Sequence, residues 1–179
     1  MFFLRDLPKY EAIRARAARY PEVDAAAVDA FLNLLRVGSD LLAALERYLA
    51  GHGMSQGSFT VLMVLNREPE TGLNPSIMAS KCGVTRATMT GLLDGLERKG
   101  LVRRDAQQSD RRTVLIFLTP KGIELLEGML HDYYQRVSLL MGGLPEDEKR
   151  HLVNVLLKVS QGIVHVSPHQ ADEVLNSTK

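Results

Sequence analysis

The chain has 179 residues, 45% of them hydrophobic, with 22 Lys and Arg against 21 Asp and Glu, which suits one domain with a sizeable core plus arms. No apolar run reaches the roughly 20 residues that cross a bilayer, and Arg5, Asp6, Lys9 and Glu11 interrupt the short Met1–Leu4 stretch before it makes a signal peptide. A single cysteine excludes an intrachain disulfide framework and fits a reducing cytoplasm, the expected location.

Residues 1–22 read as a basic extension: from Met1 to Tyr20, Arg5, Lys9, Arg14, Arg16 and Arg19 outweigh Asp6 and Glu11. The expected form is an extra helix that packs Phe2, Phe3, Leu4, Leu7, Tyr10 and Ile13 and leaves its arginines solvated. Contact with DNA flanks is the alternative. From Ala25 to Leu49 apolar residues recur at helical spacing until Gly51 and Gly53 end the pattern. Ser55 then caps a shorter helix bearing Phe59, Leu62, Met63 and Leu65, which stops before Pro69.

The stretch from Asn74 to Gly122 carries the most information. Asn74 can cap, Pro75 suits the first helical position, and Ile77, Met78 and Ala79 supply apolar contacts for a support helix. Cys82, Gly83 and Val84 make a tight turn. Thr85 is placed to cap the next helix by accepting from its orphan N–H groups. Met89, Leu92, Leu93 and Leu96 form an apolar back, and Arg86, Ala87, Thr88, Thr90 and Gly91 form a small, polar front. Gly100 is the expected C′ residue, with Arg98 and Lys99 suiting the negative end of the dipole. A helix with a greasy back and a polar front is what the major groove admits, and a support helix before it completes a helix-turn-helix.

Past Gly100 the period turns strand-like. Leu101 and Val102 lead into Arg103 and Arg104, a polar loop follows from Asp105 to Asp110, and Arg111 and Arg112 precede a β-rich run from Thr113 to Leu118. Two short strands joined by such a loop form a wing, and arginine both enters a narrow minor groove and forks onto phosphate. Asp110 is expected to orient Arg112 by a charge-assisted bond, the alternative being that both are simply solvated. Downstream, Thr119 and Pro120 start a helix running to about Met141, and Gly142 and Gly143 break it. Pro145 to Glu148 has the acidic first turn of another helix, carrying Leu152, Val153, Leu156, Leu157, Val159 and Ile163. The tail, residues 165–179, holds no motif and reads as flexible.

The overall charge of +1 conceals a division. Residues 74–122 hold nine basic and four acidic side chains, a net +5, which leaves −4 on the rest. Phosphate attraction acts within a Debye length of roughly 8–10 Å, so the division matters more than the total. The apolar residues outside this head, among them Phe31, Leu34, Leu35, Leu152, Leu156 and Ile163, exceed what a small winged helix covers. A two-fold dimer is the expected solution.

These residues resemble the MarR (multiple antibiotic resistance regulator) family of winged helix-turn-helix transcription regulators, over residues 23–164. The resemblance is carried by Leu96-Glu-Arg-Lys-Gly-Leu-Val102, by Asp110-x-Arg112 and by Leu118-Thr-Pro-Lys-Gly122. It implies a mainly α fold (an α+β winged helix), with residues 23–53 and 123–164 as dimerisation helices around a winged helix-turn-helix at 54–122. The recognition helix would span about 85–99 and the wing about 101–118. It also implies a homodimeric repressor on a palindromic operator, released by a small aromatic or lipophilic effector. The expected DNA-binding residues are Ser76, Thr85, Arg86, Thr88, Thr90, Gly91, Asp110, Arg111 and Arg112. Gly91 stands where many members carry a larger, often basic residue. The implied effector crevice lies between dimer helices and reading head, where Tyr48, His52, Met63 and Met129 are candidates; a core or interface role is the alternative for each. The absence of tryptophan argues against the effector sites of those members that depend on one.

Three other readings compete. A winged helix can dock proteins, although such a module has no need of arginines at a wing tip. Cys82, beside the recognition helix, permits a redox reading against the blander one of a small apolar filler. Members that sense peroxide place their cysteine in the first dimerisation helix, where this chain has none. An enzyme would need a site that is not legible: His52, His131, His151, His165 and His169 are scattered, and no glycine-rich phosphate loop or nucleophile signature occurs. No catalytic residue, metal or cofactor is therefore expected.

Overall fold

The computed structural model describes residues 6–20, 22–106 and 114–166. Short polar side chains set where several of its helices begin. Asp24 accepts hydrogen bonds from the Ala26 and Ala27 N–H groups (2.9 and 3.2 Å), Asn74 from Ser76 (2.8 Å), Thr85 from Thr88 (3.1 Å) and Thr119 from Gly122 (3.0 Å). Ser55 does the same for Ser58 at 3.2 Å. The resulting order is α1 (Tyr10–Ala17), α2 (Ala25–Gly51), α3 (Gln56–Asn66), α4 (Pro75–Cys82), α5 (Arg86–Arg98), β1 (Val102–Ala106), β2 (Val114–Leu118), α6 (Pro120–Leu140) and α7 (Glu146–Gly162), followed by a 3-10 turn at Ile163–Val166. Two compact units divide at Glu127 and Gly128.

In the first unit α3 is the hub. Phe59, Val61, Leu62, Val64 and Leu65 are all buried, so this helix is apolar nearly all round and must be enclosed. It packs against α2, α4, α5 and β2. Leu49 from α2, Met78 from α4, Met89, Leu93 and Leu96 from α5, and Ile116 from β2 join the same core at 2% exposure or less. Each such side chain contributes roughly 1.5–3 kcal/mol by leaving water. The strands pair antiparallel with Val102 opposite Leu118 and Arg104 opposite Ile116. Leu73 adds a bridge to Ile116 through reciprocal backbone bonds of 3.1 and 2.9 Å. In the second unit Met129 is buried, whereas α7 buries no residue at all.

Most expected boundaries hold to within a residue or two, and the departures have physical causes. Asp105 and Ala106, expected in the loop, extend β1 because Leu115 and Val114 lie opposite to pair with them. Ile77 is 50% exposed: its neighbours Met78 and Ala79 take the inward face of α4, and a helix turned by 100° per residue cannot bury all three. In α1 only Ile13 is buried and Tyr10 is 43% exposed, because one turn of contact on α2 is all that eight residues supply. Phe2, Phe3 and Leu4 lie outside the described residues, as do residues 167–179.

Two glycines are required by close approach. Gly72 has φ +63°, and a Cβ there would sit 2.6 Å from the Phe117 ring. Gly122, in the first turn of α6, lies against the carbonyl of Leu101, where a Cβ would collide with the oxygen. That corner is held further by Thr119, whose hydroxyl donates to the Gly100 carbonyl (2.6 Å), and by Lys121, whose Nζ donates to the Lys99 carbonyl (2.8 Å). Gly122→Ala is expected to lower stability by about 1–3 kcal/mol through overpacking. Gly95→Ala, in open space within α5, should raise it by up to about 1 kcal/mol. Denaturant unfolding of both variants checks this; shifts of the same sign would refute the corner contact.

Candidate nucleic-acid interface

The interface is built outward from the core. Met89, Leu93 and Leu96 pin one side of α5, and Leu92 packs where Gly57 of α3 leaves room for it. The opposite side then has no choice but to face out. Arg86, Ala87, Thr88, Thr90 and Gly91 are all exposed there, and nothing lies within 4 Å of a Cβ placed at Gly91. Gly83, at φ +65°, ends α4 in the left-handed conformation and turns the chain into α5, with its N–H and that of Val84 donating to Ser80 and Ala79. Gly100, at φ +69°, closes α5 while the Leu101 N–H donates to the Leu96 carbonyl at 3.0 Å.

The front carries its polar groups in a particular state. The Thr90 hydroxyl donates to the Arg86 carbonyl (3.0 Å), which leaves its methyl and lone pairs outward. Thr85 and Thr88 hydroxyls bond each other at 2.8 Å while Thr85 caps the helix. Ser76 is exposed in the first turn of α4. Neither α4 nor α5 has an acid in its first turn, and α5 instead begins with Arg86, a cation at the positive end of a dipole. By contrast α7 begins with Glu146, Asp147 and Glu148, as an ordinary helix does. A helix start that combines a positive dipole with a guanidinium is arranged for an outside anion.

The basic residues of this head are mostly committed, which their number alone did not reveal. Lys81 pairs with Glu68 (2.7 Å), Lys99 donates to the Gly53 carbonyl (3.0 Å), Lys121 to the Lys99 carbonyl, and Arg98 to the Asp94 carbonyl (3.3 Å). Arg103 pairs with Asp105 and stacks over Phe117, 4.6 Å from the ring centroid. Arg104 forks onto Asp94 (2.6 Å) and Glu97 (2.7 Å) of α5. Its pKa is raised, chiefly by the Asp94 hydrogen bond, with further help from both carboxylates and some opposition from burial. Each such half-exposed pair is worth only about 0.2–1 kcal/mol, so its importance is orientation. Among the described residues of the head, Arg86 is the base with no partner. Asp110, Arg111 and Arg112 lie outside the described residues.

The effector candidates are only partly brought together. The Tyr48 and His52 rings meet at a tilt of 59° at the end of α2 with centroids 4.9 Å apart, and Met63 is half-buried on α3. Met129 is buried in the second unit. A concave patch on α6, lined by His131, Tyr134, Gln135, Ser138 and Leu139, includes none of the four. Among the described residues no group of three or more His, Cys, Asp or Glu could hold a metal ion.

Cys82 is half-buried at the end of α4, and burial pushes its thiol above the ordinary value. A raised pKa means less thiolate at neutral pH, which disfavours the redox reading. Alkylation by iodoacetamide at pH 7 is therefore expected to be slower than that of free cysteine and to keep rising at pH values where free cysteine has levelled off. A rate faster than free cysteine at pH 7 would reinstate an activated thiol.

Comparison with known proteins agrees with this geometry. The pattern of the MarR family matches residues 54–114. The HTH-type transcriptional repressor YetL of Bacillus subtilis is 37% identical over 153 residues, which is 86% of this chain and 92% of that protein. The HTH-type transcriptional regulator PecS of Dickeya dadantii is 27% identical, covering 81% and 88% respectively. Among solved structures, the repressor CouR bound to a 23-mer DNA duplex superposes with a TM-score of 0.66 at 26% identity, covering 78% of this chain and 99% of that one. The buried-backed recognition helix, its support helix and the two-stranded ribbon thus have their counterpart in proteins that share sequence as well as shape, and the chain belongs to the MarR family of transcription regulators.

Proposed function

We propose that this chain is a homodimeric, cytoplasmic repressor that reads a palindromic operator and is released by a small aromatic or lipophilic effector, without enzymatic activity. The observation that carries the reading is the front of α5: an Arg86 with no partner among the described residues, and small side chains on a buried back. The size of Ala87, Thr88, Thr90 and Gly91 lets the helix backbone come close to base edges. The Thr90 methyl suits thymine, and Arg86 suits the O6 and N7 acceptors of guanine. In this reading Ser76 and Thr85 meet phosphate at the starts of α4 and α5, and the wing arginines Arg111 and Arg112, with Asp110, supply affinity in the minor groove.

Dimerisation is supported by what the chain leaves uncovered. Phe31 is 52% exposed, Leu156 42% and Ile163 59%, and among the described residues nothing buries the apolar side of α7. Residues 23–53 and 123–164 are therefore read as the dimerisation helices, with the winged helix at 54–122. Two-fold symmetry then sets half-sites about one turn, roughly 34–36 Å, apart. Effector control is supported by likeness to CouR of Rhodococcus jostii RHA1 bound to p-coumaroyl-CoA, at 28% identity and a TM-score of 0.65, covering 76% of this chain and 95% of that one. Tyr48, His52 and Met63 of the first unit are the candidates for an effector site, and Met129 of the second unit is a separate candidate. No helix among the described residues is long and apolar enough to cross a membrane.

Binding-site selection tests the core of the proposal. Arg86→Ala should relax preference at one base pair by about 1–3 kcal/mol, whereas Arg112→Ala should weaken all sequences alike and reduce the salt slope by about one. An unchanged base preference in Arg86→Ala removes that residue from the base-reading set. A salt-independent affinity in the unmutated protein points instead to a protein-docking module. For the effector, phenolic and lipophilic compounds should release the selected operator. Release by peroxide alone, lost in Cys82→Ser, would replace ligand sensing by redox sensing.

A further inference from the structure

The DNA-facing stripe of α5 contains an acid that the proposed function leaves unexplained. Arg86, Thr90 and Asp94 follow one another at intervals of four, so they share one face of the helix. Asp94 is half exposed, and Glu97 lies a turn beyond. Carboxylates beside a DNA-reading surface repel phosphate, so their presence calls for a compensating role. Both are held by one side chain, Arg104 of β1, with Nη2 on Asp94 at 2.6 Å and Nη1 on Glu97 at 2.7 Å. Arg104 sits opposite Ile116 in the ribbon, and Ile116 is fully buried. Beyond that pair Asp105–Leu115 and Ala106–Val114 follow among the described residues. A two-stranded ribbon has little rigidity of its own, and the side chains by which it enters the core, Val102, Ile116 and Leu118, lie on one face.

We propose that Arg104 is a positioning residue, a strut that fixes the angle of the wing ribbon on the recognition helix by bridging β1 to Asp94 and Glu97. The planar guanidinium suits this because its fork engages two carboxylates at once, which a lysine cannot do. The strut makes the wing and recognition helix meet DNA in one register. Its contribution is therefore to the preference for the operator over other sequences, with little effect on bulk attraction to phosphate. The inference rests on the DNA-binding reading.

The decisive variant is Asp94→Asn with Glu97→Gln, which cuts the strut while removing two negative charges. Charge alone predicts tighter binding to every duplex. The strut predicts that the ratio of affinities, selected operator over arbitrary duplex of equal length, falls at least about fivefold, while binding to the arbitrary duplex is equal or stronger. Arg104→Met should lower the same ratio to a similar extent, and Arg104→Lys should recover only part of it. Thermal melting accompanies each measurement. If Arg104→Met does not fold, the Asp94→Asn/Glu97→Gln variant, which keeps the cation, decides alone. An unchanged ratio in that variant, with both duplexes bound more tightly in proportion, overturns the strut. A wild-type protein that selects no sequence and shows no salt dependence overturns the DNA-binding reading itself.

Discussion

The burial of the apolar back of α5 against α3 is the contact on which the rest depends. Met89, Leu93 and Leu96 reach 2% exposure or less, and α3 offers them a surface of buried residues on nearly every side. With 3.6 residues per turn, burying that stripe leaves no freedom in where Arg86, Thr90 and Gly91 point. The orientation of this exposed face is thus a by-product of hydrophobic packing, held by several side chains at roughly 1.5–3 kcal/mol each. Polar contacts alone, at about 1 kcal/mol or less apiece, would not hold it so firmly. The same hub carries α4, and through Ile116 and Leu73 it carries the root of the wing.

Charge is distributed on this frame with unexpected economy. Nine bases in the head suggest a broad cationic surface, yet most described ones are tied to carboxylates or to backbone carbonyls. What is left over among the described residues is localised: a guanidinium at the start of α5 and two helix N-termini without acids. A reader built this way depends on a few contacts. Specificity then rests on how well those contacts are aligned with one another.

The end of α5 is where alignment can be altered. Lys99 donates to the carbonyl of Gly53, just past the end of α2, and its own carbonyl accepts from Lys121 at the start of α6. Thr119 and Gly122 close the same corner on Gly100 and Leu101. The end of α5 is therefore bonded directly to the end of α2 and the first turn of α6. Short contacts of this kind are what an effector with different affinities for two states would act through.

The local code was legible along the chain. The caps at Ser55, Asn74, Thr85 and Thr119, the left-handed turns at Gly83 and Gly100, and the periodic back of α5 were all readable, because each arises from interactions within a few residues. From them came the order of elements, the helix-turn-helix and its outward face. The uncovered apolar residues of α2 and α7 were also readable as an excess, since composition counts them whatever their partner. Tertiary structure alone decided which bases are spoken for. Lys99 finds a carbonyl 46 residues away and Arg104 meets acids 7 and 10 residues back around a turn, pairings set by how α2, α5 and β1 pack. It alone decided that Ile77 faces out, that Gly122 must lack a side chain, and that Cys82 is half-buried with a raised pKa. Local sequence specifies the shape and phase of each helix, whereas the partner of a long polar side chain is chosen by distances that exist only once the core has closed.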